Sequence, residues 1–225
     1  MKALIFAAGR GERLKPLTDH TPKPLVNIKQ KPLIQYHIEA LMRAGVTEFI
    51  INASWLHQQI IEFINALTKK HRFRQINVQF SIEPNAPLET GGGLLKALPM
   101  LGKEAFIVVN ADVFTDFDFN QLKQPLDDAV AHLVMVTNPS HNPEGDFSLK
   151  DGVLKQKSPN QKTYTYAGIG LYTPRILSPP FSSDTFSLTP HIKAAVDKQL
   201  ITAHLHESQW HDVGTTERLN ALNRR

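Results

Sequence analysis

The chain of 225 residues contains no cysteine. A disulfide scaffold, a thiolate nucleophile and a cysteine-ligated zinc site are therefore all excluded, and the usage fits a reducing compartment. Long apolar runs are also missing. Ala3-Leu4-Ile5-Phe6-Ala7-Ala8, near the start, falls far short of the roughly 20 residues that span a bilayer. Gly9-Arg10-Gly11-Glu12-Arg13 follows at once, with no cleavage-type segment, so no signal peptide is expected and the expected location is cytoplasmic. Aromatic residues make up only 8%, with no stacking platform for single-stranded nucleic acid. Charge of one sign does not accumulate either: the formal net charge is +4, and basic residues are scattered. The one basic cluster, Lys69-Lys70-His71-Arg72-Phe73-Arg74, suits a helix end running into a solvated turn better than a face that tracks phosphates. Neither nucleic acid nor a membrane is an expected partner. Internal repeats and low-complexity linkers are absent.

What is present is an ordinary globular composition, 41% hydrophobic and 20% charged. Ala3–Ala8 ends at Gly9 as a strand buried on both faces would. Pro32 opens a helix with apolar spacing at Leu33, Tyr36, Ile38 and Leu41, stopped by Gly45. Phe49-Ile50-Ile51 forms a second strand, Leu56, Ile60, Phe63 and Ile64 line a second helix, and Ile76, Val78 and Phe80 alternate as a third strand. A helix over Thr90–Leu98 stops before Pro99, and Ala105–Val109 is another buried strand. This alternation implies an α/β fold with parallel pairing and right-handed crossovers. Beyond it the pattern is less regular. A strand is expected at Val130–Val136, a type I′ hairpin around Asp151-Gly152, a strand at Thr163–Tyr172, a helix at Leu188–Lys198, a strand at Ile201–Leu205 and a last helix at Thr216–Leu222. One domain over residues 1–225 is expected, with a mixed, mainly parallel sheet and a small antiparallel insert.

Gly9-Arg10-Gly11-Glu12-Arg13-Leu14-Lys15-Pro16-Leu17-Thr18 follows the first strand at the edge where open α/β sheets bind ligands. Glycines there let backbone N–H groups approach phosphate oxygens. A tight turn after a strand needs glycine too, so the loop alone does not separate the two roles. A dinucleotide fingerprint is excluded by Leu14, and a Walker ending is absent. Pro22-Lys23-Pro24-Leu25 then holds a lysine between two prolines, a stiff and extended setting for a cation that meets phosphate.

Gly9-x-Gly11-x-Arg13-x-x-Pro16-Leu17-Thr18 with Thr21-Pro22-Lys23-Pro24-Leu25 resembles the signature of the sugar-1-phosphate nucleotidyltransferases. The resemblance implies a Rossmann-like three-layer fold of the nucleotide-diphospho-sugar transferase type. It also implies that Ala8, Gly9, Gly11 and Glu12 belong to a loop that wraps a nucleoside triphosphate, that Arg13 neutralises the distal phosphates, and that Lys23 holds the α-phosphate region. Arg13 and Lys23 are the expected catalytic residues. Asp112, after a buried strand, and Asp212, in Trp210-His211-Asp212-Val213-Gly214-Thr215, resemble the family's metal-binding aspartates; together they could clamp one Mg²⁺, which needs one or two carboxylates plus phosphate oxygens. Many relatives have glycine where Ala111 stands. His204 and His206 share a strand face and His211 lies nearby, but without cysteine or an evident third ligand a zinc site is set aside.

By the same resemblance the residue at Glu83 reads the base edge. A glutamate accepts equally well from uracil N3–H and guanine N1–H, so hydrogen-bond logic leaves the base open. Gly91 and Gly92, with Gly93, are expected to precede a helix and lay bare backbone against the base. Asn110, Asp146 and the backbone near Gly168 would face the sugar. The nucleotide half is expected at about residues 1–112 and the sugar and metal half at about 113–225. The short length and the Pro87–Gly93 and Trp210–Thr215 runs look like the uridylyltransferases that act on N-acetylmuramate 1-phosphate in cell-wall recycling, with UTP as nucleotide, as a monomer or small homo-oligomer. Guanylyl-, thymidylyl- or cytidylyl transfer to mannose, glucose or choline phosphate is the alternative within the family. A catalytically silent nucleotide-sugar-binding subunit is the alternative outside it, and such a module would be expected to lose Lys23 or an aspartate.

Overall fold

A computed structural model describes residues 1–83, 87–181 and 183–224. In chain order the strands and helices are β1 (Lys2–Ala7), α1 (Leu17–His20), β2 (Asn27–Ile28), β3 (Lys31–Pro32), α2 (Leu33–Arg43), β4 (Glu48–Ala53), α3 (His57–Thr68), β5 (Asn77–Ile82), α4 (Glu89–Leu101), β6 (Phe106–Asn110) and β7 (Val113–Thr115). They continue with β8 (Ala131–Val136), β9 (Phe147–Lys150), β10 (Val153–Lys155), β11 (Thr163–Tyr172), α5 (Thr189–Asp197), β12 (Ile201–His206), β13 (Trp210–Asp212) and α6 (Thr216–Arg224).

One sheet of nine strands, in the order β5-β4-β1-β6-β11-β8-β12-β10-β9, runs through the molecule. β5, β4, β1 and β6 are parallel neighbours, as are β8 and β12. β11 lies antiparallel between β6 and β8, and β10 and β9 add antiparallel ladders at the far edge. The sheet is thus mixed, and parallel pairing dominates only its first half. The β9–β10 hairpin forms the antiparallel edge of this same sheet. Its turn is as expected: Asp151 and Gly152 both take positive φ, 51° and 76°, which a type I′ turn demands.

The period-two rule assigns the two faces. Ala3, Ile5, Phe49, Ile51, Ile107 and Val109 pack with Ile34, Ile38 and Leu41 of α2 and Ile60 and Ile64 of α3. Leu4, Ile50, Phe106 and Val108 point the other way, onto Leu94, Ala97 and Leu101 of α4 and Ile192 and Val196 of α5. Helices therefore cover both faces, giving three layers, and strands buried on both sides read as unbroken apolar runs. A third, smaller cluster joins Leu14, Val26, Ile28 and Leu33 to Val213 and to Leu219 and Leu222 of α6.

Two local expectations are corrected. α4 continues through Pro99 to Leu101. A proline this near the end removes one backbone bond where few turns follow, and Leu94, Ala97 and Leu101 keep the helix seated by burial. Lys23 opens a single 3₁₀ turn rather than an extended run, closed by Leu25 N–H donating to Pro22 O at 2.8 Å and Val26 N–H to Lys23 O at 3.1 Å.

His132 in β8 is buried, with Nδ1 2.7 Å from Thr202 Oγ1 and Nε2 2.7 Å from His204 Nδ1. Its ring stacks on His204, which stacks in turn on Phe117. Burial, and secondarily the neighbouring His204, push its pKa down from 6.5 to about 4. Between those values the unfolded chain binds a proton that the folded chain refuses, so stability falls as pH drops from about 6.5 to 4 and levels off below. Urea unfolding followed across this range should show that slope, and His132→Gln should make it shallower, leaving the part due to buried His37, whose pKa is likewise lowered to about 4.

Candidate active site

The carboxyl ends of β1, β4 and β6 lie side by side and open onto a cleft of about 240 Å³. β1 delivers Ala7, Ala8, Gly9 and Gly11, and β4 delivers Asn52. Glu83 follows β5, and β6 delivers Asn110, Ala111 and Asp112; Lys23 enters from its own turn. Gly11 takes φ 69°, and a Cβ there would stand 2.9 Å from Thr18 Cγ2. Only glycine meets both demands without strain. The loop is closed by Leu14 N–H and Thr18 Oγ1–H, which both donate to Gly11 O at 2.8 Å. α3 and the residues that lead into it brace it from behind: Trp55 Nε1–H donates to Thr18 O at 3.0 Å, and Gln59 Nε2–H of α3 to His20 O at 3.0 Å. Arg10 lies over the Trp55 ring, 4.6 Å from its centroid, beside a second hollow that shares Glu83 and Pro87 with the cleft.

Lys23 Nζ donates to Asp112 Oδ2 at 2.7 Å, across 89 residues of sequence. The two aspartates are brought together by a short antiparallel ladder that pairs Asp212 with Val113, His211 with Phe114 and Trp210 with Thr115. Val213 N–H then donates to Asp112 O at 2.7 Å. Asp212 accepts from the Arg218 guanidinium at the start of α6, and His141 Nε2 lies 3.1 Å from Asp212 Oδ1. A Cβ built on Gly214 would meet Asp212 Oδ2, Arg13 and Arg218 within 3.1 Å, so Arg13 reaches the same corner. Arg13, Lys23, Asp112 and Asp212 thus converge on one region. Behind them His37 is fully enclosed by α2 and β7; burial holds it neutral, its pKa lowered to about 4.

Among the described residues no group of three or more His, Asp or Glu side chains is arranged to hold a metal ion. Mg²⁺ does not need such a cage: it is commonly bound by one or two carboxylates with substrate phosphates and water completing the shell. Asp112 and Asp212 offer hard oxygen donors at adjacent strand ends, so the residues present fit that ion. His204 and His206 face Phe117 in the side-chain row that includes His132.

Other expected site residues have different neighbours. Glu12 is exposed and paired with Lys15 at 2.6 Å, and the Lys15 ammonium holds its carboxyl below the usual range. Gly91, Gly92 and Gly93 lie inside the first turns of α4 rather than ahead of it. Gly91 N–H and Gly92 N–H both donate to Phe186 O, and added Cβ atoms would collide with Phe186 and with Asp184 O. Close packing of α4 against residues 184–186 therefore requires Gly91 and Gly92, whereas a Cβ on Gly93 would stand 2.8 Å from Glu83 Oε1; Pro87, Glu89 and Thr90 line the cleft. Asp146 is held locally, accepting from Tyr166 N–H at 2.8 Å and Asn142 Nδ2–H at 3.1 Å. Gly168, φ 72°, sits where β11 shifts register against β8, with Asn110 Nδ2 2.7 Å from where its Cβ would be. Arg218, His141 and Asn52 carried no motif in the sequence. Only their contacts in the fold reveal them.

The family model for nucleotidyl transferases matches residues 2–225. The chain belongs to that family. It is 42% identical over 224 residues to the N-acetylmuramate alpha-1-phosphate uridylyltransferase of Neisseria meningitidis serogroup B, covering 97% of this chain and 95% of that protein. It is 32% identical over 223 residues to the mannose-1-phosphate guanyltransferase of Gibberella zeae, covering 94% of this chain and 57% of that longer protein. The fold is shared with HddC from Yersinia pseudotuberculosis, solved in complex with GMP-PN, at a TM-score of 0.77 and 23% identity over 99% of this chain and 98% of that one.

Glu83 is buried and fully engaged: Oε1 accepts from Asn52 Nδ2–H at 2.7 Å and Oε2 from Leu88 N–H at 2.8 Å. Removing the carboxylate strands both donors. Glu83→Ala should cost about 1–3 kcal/mol of stability, read from urea unfolding, beyond any effect on ligand binding.

Proposed function

We propose that the protein transfers UMP from UTP to N-acetylmuramate 1-phosphate, giving UDP-N-acetylmuramate and pyrophosphate. The observation that carries this reading is the meeting of Lys23 with Asp112, with Arg13 and Asp212 both beside Gly214, at one sheet edge next to a glycine loop. Two polyanions can react only where their charge is offset, and this corner gathers the cations to do so. The uridylyl and muramyl specificity is drawn from the relative that is 42% identical along nearly the whole chain.

In this reading residues 1–112 chiefly bind the nucleotide, and residues 113–225 the sugar phosphate and the metal. The cytoplasm is the proposed setting, and a monomer or small homo-oligomer the proposed state. The loop at Gly9 and Gly11 receives the triphosphate, Arg13 offsets the leaving pyrophosphate, and Lys23 offsets charge on the α-phosphate. Asn110 lines the cleft near the sugar, while Asp146 and Gly168 support that side. Asp112 and Asp212 would hold Mg²⁺, which supplies Lewis-acid neutralisation of phosphate oxygens. Attack by the ionised sugar phosphate on the α-phosphorus is in line and needs no general base. The protein therefore acts by positioning and electrostatics.

Purified protein with Mg²⁺, each nucleoside triphosphate and a panel of sugar 1-phosphates should release pyrophosphate with UTP and muramyl phosphate. Release only with GTP and mannose 1-phosphate would replace the proposal with the guanylyl alternative. Lys23→Ala should lower turnover by on the order of a hundredfold, and an unchanged rate would remove Lys23 from the mechanism.

A further inference from the structure

The candidate metal carboxylates are not free in the folded chain. Lys23 Nζ donates to Asp112 at 2.7 Å, and the Arg218 guanidinium donates to both oxygens of Asp212. Two negative side chains are thus matched by two positive ones. The pairs are partly shielded from solvent, with side-chain exposures of 12% for Lys23, 25% for Arg218 and 19% for Asp212. Water therefore screens them incompletely. His141 Nε2 lies 3.1 Å from Asp212 Oδ1 and 3.5 Å from Arg218, so a second basic side chain crowds the same carboxylate.

Arg218 cannot simply leave with its helix. Thr215 Oγ1 accepts from Arg218 N–H at 3.4 Å at the start of α6, and Leu219 and Leu222 fix the helix in the apolar cluster that holds Leu14 and Val26. The backbone stays; only the guanidinium can move. A dication placed on Asp212 would meet a cation anchored beside it. The repulsion is relieved only when an anion arrives to accept the guanidinium, and Arg is well shaped for phosphate oxygens.

We propose that Arg218 is a placeholder on Asp212: it neutralises the carboxylate in the resting protein, then passes to a phosphate group of a substrate as the metal takes the carboxylate. Arg218 is a positioning residue by this account, and it makes metal binding depend on an anionic partner. The inference rests on the functional reading above, because it takes Asp212 as a metal carboxylate. Either substrate could supply the phosphate.

Mn²⁺ binding followed by electron paramagnetic resonance tests this without turnover, using the metal alone, with UTP alone, or with the sugar 1-phosphate alone. Wild-type protein should bind Mn²⁺ weakly by itself and at least about tenfold more tightly with one of the two substrates, a coupling of ordinary size. Arg218→Gln should bind the lone metal more tightly than wild type and lose most of that enhancement. The arm in which the enhancement disappears identifies the phosphate that receives the guanidinium. Arg218→Lys, which keeps the charge, should retain part of the coupling; it serves as the second test if the glutamine variant folds poorly. Unchanged affinity and coupling in Arg218→Gln would overturn the inference, as would weaker metal binding with the coupling intact, which marks a mere prop for Asp212. Failure of wild-type protein to bind Mn²⁺ even with UTP would instead remove the functional reading, and this inference with it.

Discussion

A single backbone hydrogen bond, Val213 N–H to Asp112 O at 2.7 Å, closes the candidate site. It continues the short ladder between β7 and β13 and brings residues a hundred positions apart to the same sheet edge. The glycine loop and Lys23 come from the N-terminal part of the chain and are held to this edge by burial of Leu14 and Val26 against α6 and Val213. The charges therefore meet because apolar side chains behind them leave no other arrangement.

The rest of the architecture supplies a rigid base for that meeting. β1, β4 and β6 are buried on both faces, so their ends are fixed by packing on two sides. Close backbone contacts recur wherever an element must approach another: Gly91 and Gly92 against residues 184–186, and Gly168 against Asn110. These glycines act on the cleft at one remove, by setting where its walls stand. Glu83 works similarly. Its two oxygens bind Asn52 at the end of β4 and Leu88 at the entrance of α4, tying two walls together.

Much of this was legible in the residues. Unbroken apolar runs marked β1 and β6, helical spacing marked α2 and α3, and Asp151-Gly152 announced its turn. The loop and both aspartates carried local signals because their chemistry depends on neighbours in sequence. The glycine run was expected ahead of its helix but lies inside it, because the missing side chains let residues 184–186 pack directly on α4. Pro99 misled because burial outweighed one lost backbone bond. Arg218 and His141 were silent: an arginine on a short amphipathic helix looks solvated until its contact with Asp212 is known. Asp146 carried a local signal too, and the fold holds it between Asn142 and the Tyr166 N–H of β11.

The small cluster that unites Leu14, Val26, Leu219 and Leu222 has a dynamic consequence. The loop and the distant helix share one set of apolar contacts, so neither can fray without exposing the other. They form a common unit of local opening, and amide protons in both segments should exchange through the same transient event. Ligand captured at one end of that unit is felt at the other as slower exchange.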